Sequence, residues 1–96
     1  MTLRLVSVAE RELAEAVEYY EREQSGLGGR FLDEIQATLL RIAAHPEAWT
    51  RIAPRTHRCR VHHFPFGLCY QVRKKEIVIV AVMDLRRDPR RWDERW

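Results

Sequence analysis

The first fifty residues change from alternating to helical spacing of their apolar positions. Leu3 and Leu5 alternate with polar residues over positions 2–6, a pattern typical of a short strand. Apolar residues then recur every three or four positions from about residue 8 to 23 and from about 28 to 45, which predicts two helices. Because the glycine-rich break between them is short, we expect an antiparallel helical hairpin. The residues assigned to the apolar faces are Leu13, Ala16, Val17, Tyr20, Phe31, Leu32, Ile35, Leu39, Ile42 and Ala43.

Shorter signals mark the ends and the polar side of these helices. Ser7 and Glu10 have the S-x-x-E form of a capping box, in which the serine side chain accepts a hydrogen bond from the Glu10 amide. The second helix is expected to end near His45, because Pro46 disfavours helical conformation in the residue before it. Five glutamates of the first helix are assigned to its solvent side, namely Glu12, Glu15, Glu18, Glu21 and Glu23.

The second half of the chain alternates with a period of two and predicts three further strands. Cys59 and Val61 mark the apolar face of one strand, and the even-numbered apolar residues from 66 to 72 mark the next. The run 77–83 is apolar on both faces, which predicts a central, fully covered strand. The change of parity at the turn places Cys59 and Cys69 on opposite faces, so both are expected to be free thiols. The predicted fold is α+β, in the order β-α-α-β-β-β, with a helical hairpin packed on a mostly antiparallel sheet.

Composition and charge narrow the class of partner. The chain has 96 residues, 46% hydrophobic and 32% charged, which fits one globular domain over 1–96. Residues 1–50 carry five Lys/Arg and nine Asp/Glu, whereas residues 51–96 carry twelve and five. A basic half favours an anionic partner, either nucleic acid or an acidic protein segment, unless the bias is a chance property of a solvated face. No signal peptide or membrane span is apparent, so we expect a cytoplasmic protein without a membrane partner.

Histidines and arginines near the strand ends are the candidates for catalysis. His62, His63 and Arg60 lie on or beside one predicted strand, and Arg86 and Arg87 follow another. Cleavage of RNA needs a base, a cation for the phosphorane charge and an acid, which these residue types supply. Alternatively, His62 is an ordinary residue of the polar strand face and His63 a residue of the turn. The four histidines and two cysteines show no metal-ligand spacing, and no cofactor is expected.

The C-terminal segment DLRRDPRRWDERW, residues 84–96, admits two interpretations. It is either an ion-pair latch that closes the fold or a basic patch that contacts a partner. Arg86 shares strand parity with Asp84, which favours that ion pair and leaves Arg87 as the better contact candidate. Trp92 is expected to fold back onto the domain, and only 93–96 to fray. The candidates for binding a target or a protein partner are Arg58, Arg60, Arg86, Arg87, Arg90 and Trp92.

Five segments, in a fixed order and spanning most of the chain, carry a resemblance to a known family. They are EYYERE at 18–23, GLGGRFLDEI at 26–35, RIAAHPEAW at 41–49, FPFGLCYQV at 64–72 and VAVMDLRRDPRRW at 80–92. With these segments the chain resembles the RelE/ParE superfamily of bacterial toxin–antitoxin systems, specifically its ParE-like branch of plasmid-stabilisation proteins.

The resemblance implies a small cytoplasmic toxin that a cognate, ParD-like antitoxin holds inactive through an acidic C-terminal segment. ParE-like members poison DNA gyrase without hydrolysis, whereas RelE-like members cleave messenger RNA on the ribosome. The strand lacks the lysine pair of the ribonucleases, and no tyrosine or histidine follows Tyr70, which favours gyrase as the target. The alternatives are a RelE-like ribosome-dependent endonuclease and an antitoxin-binding relic without toxicity.

Overall fold

The computed structural model describes residues 1–96 as one sheet, two helices and a C-terminal 3-10 helix. The elements are β1 (Thr2–Leu5), α1 (Ser7–Glu23), α2 (Leu27–Ala44), β2 (Thr50–Ala53), β3 (Thr56–Arg60), β4 (Phe66–Arg73), β5 (Glu76–Asp84) and the C-terminal 3-10 helix (Pro89–Arg95). The strand order is β1-β5-β4-β3-β2, with β1 parallel to β5 and all other neighbours antiparallel. The predicted α+β class, helical hairpin and mostly antiparallel sheet are therefore confirmed.

Two features of the sheet differ from the prediction. Residues 50–53, expected in a loop, form β2, which pairs with β3 at the edge of the sheet. With four residues and no buried position, β2 has too little apolar alternation to be recognised in the sequence. The apolar strand β5 is internal, as predicted, but β4 occupies the middle of the sheet.

The sheet separates two apolar layers, one under the helices and one on the opposite face. Cys59 belongs to the layer under the helices and Cys69 to the opposite one, and both are buried free thiols, as predicted. The helix-side layer is built around Tyr20, Phe31, Ile35, Ile42, Phe66, Leu68 and Tyr70. The opposite layer consists of Cys69, Val78, Val80, Ala81, Met83 and Trp92. The two thiols cannot form a disulfide, because side chains alternate between the faces of a sheet and place these two cysteines on opposite faces.

The start of α1 departs from the predicted capping box. The helix begins at Ser7 itself, and its N-cap residue, Val6, makes no side-chain cap. The Glu10 amide instead donates to the Val6 carbonyl at 3.0 Å, so it has no need of the serine hydroxyl. The capping-box prediction was wrong because only Val6 separates β1 from the helix, so the first turn of α1 begins one residue earlier than predicted.

The apolar face of α2 is narrower than predicted. Phe31, Ile35 and Ile42 are buried, but Leu32 and Ala43, expected to widen the stripe, are exposed. The reason is that α2 packs mainly on α1, so the side of the helix that carries Leu32 and Ala43 meets solvent. Thr38 takes a buried position instead and donates its hydroxyl to the Glu34 carbonyl.

Candidate partner-binding surface

Two grooves, each of about 660 Å³, meet at Tyr19 and Arg86 near the end of β5. The aromatic groove lies between α1, α2 and the β3–β4 turn and is lined by Tyr19, Tyr20, Glu23, Leu27, Arg30, Glu34, His63, Phe64, Pro65 and Arg86. The charged groove lies between α1, β5 and the C-terminal segment and is lined by Glu12, Glu15, Ala16, Glu18, Tyr19, Arg22, Phe66, Val82, Asp84, Arg86, Arg87, Arg91 and Trp92. These grooves bring most of the chain's chemistry-bearing side chains to one end of the domain.

Arg86 is fixed in place by Asp84. Its Nε and Nη2 donate to the two carboxylate oxygens of Asp84, both at 3.0 Å, and the Arg86 amide donates to Oδ1 at 3.0 Å. Burial alone would raise the pKa of Asp84, but the hydrogen bonds from Arg86 outweigh it and hold that pKa below its usual value. The Arg86 side chain remains half exposed, at 52%. The result is a pre-oriented guanidinium that borders both grooves, and the predicted pairing of Arg86 with Asp84 is confirmed.

Arg87 is not left unpaired, contrary to the prediction. Its Nε lies 3.5 Å from Asp84 Oδ2, so a single carboxylate serves both neighbouring arginines. The alternation of side chains that separated them ends at Asp84, because residues 85–86 form a turn in which the Arg87 amide donates to the Asp84 carbonyl. Asp88 does not pair with either of these arginines and instead lies 2.7 Å from Arg90.

Tyr20 forms the floor of the aromatic groove. Its ring packs against Phe31, Phe64 and Phe66, with centroids 4.9 to 6.1 Å apart. The residue is 8% exposed, and its buried hydroxyl has no hydrogen-bond partner in the chain. Burial also raises the pKa of this phenol, so the hydroxyl stays protonated at neutral pH. Its neighbour Tyr19 is 41% exposed at the mouth of the groove.

The two candidate histidines both lie in the β3–β4 turn. The prediction that His62 continues the strand was wrong, because β3 ends at Arg60 and His62 is an exposed turn residue. His63 has a left-handed backbone conformation, with φ 69°, and its Nε2 lies 3.6 Å from Glu34 Oε2. His63 therefore borders the aromatic groove, whereas His62 lines neither groove.

Arg58 and Arg60 lie on the face of the sheet away from the helices. Arg58 is opposite Cys69 and extends across the sheet to Met83, where its Nη1 lies 4.0 Å from the sulfur. A Cβ at Gly67 would lie 2.9 Å from the Arg58 side chain, so the glycine makes room for it. Arg60 shares strand parity with Arg58 and is exposed. The sheet thus separates these two arginines from Arg86, and the predicted binding residues form two surfaces.

The C-terminal segment is held by Glu12, which the helical pattern had assigned to solvent. The Glu12 carboxylate accepts from the Val82 amide at 3.0 Å, from Trp92 Nε1 at 3.1 Å, and from two Arg95 nitrogens at 2.9 Å each. Arg95 also donates to the Val80 carbonyl at 3.2 Å. Because β1 pairs with β5 only as far as Ile79, these side chains satisfy backbone groups of β5 beyond the end of β1.

This arrangement decides two predictions about the C-terminus. Trp92 folds back onto the domain, as predicted, and is only 5% exposed, so it offers almost no surface to a partner. The expectation that residues 93–96 fray was wrong, since Arg95 is bound to Glu12 and Trp96 packs on the layer opposite the helices. Arg90, by contrast, is largely exposed and outside both grooves.

The structure brings no three His, Cys, Asp or Glu side chains into an arrangement that could hold a metal ion. Neither helix is long and apolar enough to cross a membrane.

Comparison with known proteins identifies a family and a fold. A family model described as the ParE toxin of type II toxin–antitoxin systems matches residues 3–89. Among solved structures, the chromosomal ParDE toxin–antitoxin system from P. aeruginosa matches with a TM-score of 0.75 and 19% identity, over 88% of this chain and 96% of that chain. The isolated E. coli RelE toxin matches with a TM-score of 0.56 and 17% identity, over 97% of this chain and 93% of that chain. No curated protein sequence matches.

Proposed function

The chain belongs to the ParE toxin family of type II toxin–antitoxin systems, and from that premise we propose that it inhibits DNA gyrase without hydrolysis and is neutralised by a cognate, ParD-like antitoxin. The observation that carries the proposal is the family match, which covers residues 3–89 of a 96-residue chain. The two solved structures are each below 20% identical and support the fold alone.

The positions of the candidate catalytic residues favour a non-hydrolytic mechanism over the RelE-like alternative. A ribonuclease must bring a base, an acid and a cation within hydrogen-bond reach of one phosphate. His63 and Arg86 share the aromatic groove, but Arg87 lies in the charged groove and His62 in neither. Arg60 lies on the far side of the sheet from Arg86. Of the five residues that an endonuclease would draw on, three therefore line the two adjoining grooves, and of these three only His63 could act as an acid or a base.

The grooves support the proposal of an antitoxin partner. Specific and stable protein interfaces bury at least ~1,200 Å² in total and combine an apolar centre with a polar rim. The aromatic groove supplies an apolar floor and walls, and charged side chains of both signs stand around it. An antitoxin segment that covers both grooves would also contact Arg86 and Arg87, which the sequence singled out for target or antitoxin binding.

An induction experiment tests the target. Expression of the toxin alone should arrest growth, inhibit supercoiling by purified gyrase and leave messenger RNA intact. The double variant His62→Ala/His63→Ala should behave the same, because neither exposed imidazole is needed by a non-hydrolytic inhibitor. An endonuclease that used either histidine as acid or base would lose ~10²–10⁴-fold in rate. If the wild-type toxin depletes messenger RNA and the folded double variant does not, the protein is a ribonuclease and the gyrase proposal fails.

Co-expression with the protein encoded alongside tests the partner. The antitoxin should co-purify with the toxin and restore growth. A toxin that binds this protein but causes no arrest when expressed alone would identify an antitoxin-binding relic. A toxin that is harmless and binds nothing would contradict both parts of the proposal.

A further inference from the structure

The face of the sheet away from the helices carries three arginines that form no ion pair. They are Arg58 and Arg60 of β3 and Arg73 of β4, and together they define the arginine face. Arg73 lies on this face because it shares strand parity with Gln71, whose neighbour on β5 is Val78 of the buried layer there. In the C-terminal segment, by contrast, four of the five arginines lie within 3.5 Å of a carboxylate. The positive charge of the arginine face is therefore uncompensated.

Neutral groups hold two of these arginines in place. Arg73 Nε and Nη2 donate to Gln71 Oε1 at 3.0 and 2.7 Å. Gln71 Nε2 in turn donates to the Thr56 hydroxyl at 2.9 Å, and both residues are buried. Arg58 extends over the sheet to the sulfur of Met83. Because an amide oxygen and a thioether carry no net charge, both guanidinium groups are ordered and keep their full charge for a ligand, which would not bear the entropy cost of ordering them.

The charge beside the arginine face is also positive. Lys74 and Lys75 form the adjoining β4–β5 turn and are exposed without an ion pair. Glu76, the carboxylate next to them, is bound to Arg4 at 3.0 Å. The C-terminal 3-10 helix, which packs on this face through Trp92, adds three arginines and two acidic residues. Such an excess of cations suits a polyanion, whose affinity comes largely from neutralising its phosphates.

The scarcity of exposed apolar surface argues against a protein partner. A specific protein interface is built around an apolar centre that loses its exposure on binding. Five apolar residues of this face are each 4% exposed or less, namely Cys69, Val78, Val80, Ala81 and Met83. The large hydrophobic residues that are exposed lie outside β3, β4 and β5, and they are Met1, Tyr19, Leu32 and Leu40. The arginine face therefore offers a partner charge and hydrogen bonds, but almost no apolar centre.

The aromatic residues decide between a duplex and a single strand. Proteins hold single-stranded nucleic acid by stacking successive bases on exposed aromatic side chains. On this face Trp92 is 5% exposed, and only Trp96, the last residue, is partly exposed. A row of stacking platforms is therefore missing, whereas contacts to the phosphates of a duplex need only the cations.

We propose that the arginine face binds the phosphate backbone of duplex DNA without reading its sequence, with Arg58, Arg60 and Arg73 as the phosphate contacts. The inference goes beyond the proposed function, because it assigns a ligand to a surface that neither groove includes. Only the choice of DNA over RNA rests on the proposed target, since the substrate of gyrase is duplex DNA.

Fluorescence anisotropy of a labelled DNA duplex of arbitrary sequence, with purified toxin and no gyrase, tests the proposal. Three phosphate contacts predict a slope of about −2.7 for log affinity against log salt, or about 40-fold weaker binding at 200 mM than at 50 mM salt. Arg60→Gln should reduce the slope by about 0.9 and weaken binding equally for duplexes of different sequence. Because Arg60 is exposed and unpaired, the melting temperature of this variant should stay at the wild-type value. Replacing all three arginines by glutamine should abolish the salt-dependent binding.

Arg11→Gln is the matched control. Arg11 is exposed and unpaired like Arg60, but it lies on α1, on the other side of the sheet. The two variants have the same net charge, so they differ only in the position of the lost cation. Arg11→Gln should keep the wild-type affinity and slope.

Three results would overturn the inference. The first is a wild-type toxin that does not bind the duplex even at about 50 mM salt. The second is an Arg11→Gln variant that loses as much slope as Arg60→Gln, since binding would then follow net charge and not this face. The third is a triple variant that still binds duplex DNA but has lost affinity for an RNA oligonucleotide or for the purified antitoxin. A toxin that binds DNA through these arginines but does not inhibit gyrase would refute the proposed target and support the inference.

Discussion

Replacing Glu12 by alanine should loosen the C-terminal segment. The carboxylate is the common acceptor for the Val82 amide, the Trp92 indole and the Arg95 guanidinium. Hydrogen bonds to charged groups contribute about 1.5–3 kcal/mol each, but these share one acceptor and are not additive. Glu12 and Arg95 are also 21% and 26% exposed, so water replaces part of the loss. We therefore expect a destabilisation of about 2–3 kcal/mol, a drop in melting temperature of roughly 10–20 °C for a domain of this size.

Urea denaturation followed by tryptophan fluorescence measures this effect, because Trp92 and Trp96 both report on the C-terminal segment. Glu15→Ala is the matched control, since Glu15 lies one turn further along α1, is exposed and makes no hydrogen bond or ion pair. It should change stability by less than about 0.5 kcal/mol. Glu12→Gln should fall between the two, because the amide oxygen can still accept from Val82 but loses the charge that binds Arg95.

Two results would contradict this role of Glu12. If Glu12→Ala and Glu15→Ala lower stability equally, the carboxylate does not hold the segment, and packing of the Trp92 ring alone would account for its position. A loss of stability in Glu12→Ala without any change in the tryptophan signal of the native state would also contradict a loosening of the C-terminal segment.

The glycines at the start of α2 and the buried thiols give two further predictions. Gly28→Ala should destabilise the fold by about 1–3 kcal/mol, because a Cβ there would lie 2.9 Å from the Val17 carbonyl oxygen and 3.0 Å from Glu21 Oε1. Gly29→Ala is the control, since a Cβ at Gly29 would have no atom within 4 Å. It should be neutral or stabilising by up to about 1 kcal/mol. Burial raises the pKa of Cys69 to about 12, so at pH 8 the folded protein should react with a thiol reagent only as fast as it unfolds, and rapid labelling without denaturant would contradict the structure.

The amino-acid sequence by itself determined the class and order of the elements. Apolar spacing placed Phe31 and Ile35 inside the helical hairpin, and strand parity placed Cys59 and Cys69 in different layers. These predictions succeeded because the face on which a residue lies depends only on the period of its own element. The family resemblance also rested on the sequence, through five segments, of which four lie wholly within the match over residues 3–89 and the fifth lies within it as far as residue 89.

Local signals failed where a second element competed for the same residue. Ser7 was predicted as a cap but became the first residue of α1, because only Val6 separates β1 from the helix. Leu32 continued the apolar spacing of α2 and yet is exposed, because no neighbour covers that side of the helix. The sequence pattern states which face is apolar, but the neighbours decide how wide a face is buried.

Tertiary structure alone decided the polar contacts that build the site. Glu12 has the same helical context as Glu15, and only the fold brings it to Arg95, 83 positions away. The same holds for the aromatic groove, where α1, α2 and the β3–β4 turn bring Tyr20 and His63 to one surface, and for the sheet that separates Arg60 from Arg86. The position of a polar side chain in the sequence pattern does not identify the residue that it will contact. Its contact is chosen by the packing of distant segments, and that packing becomes defined only when the core has formed.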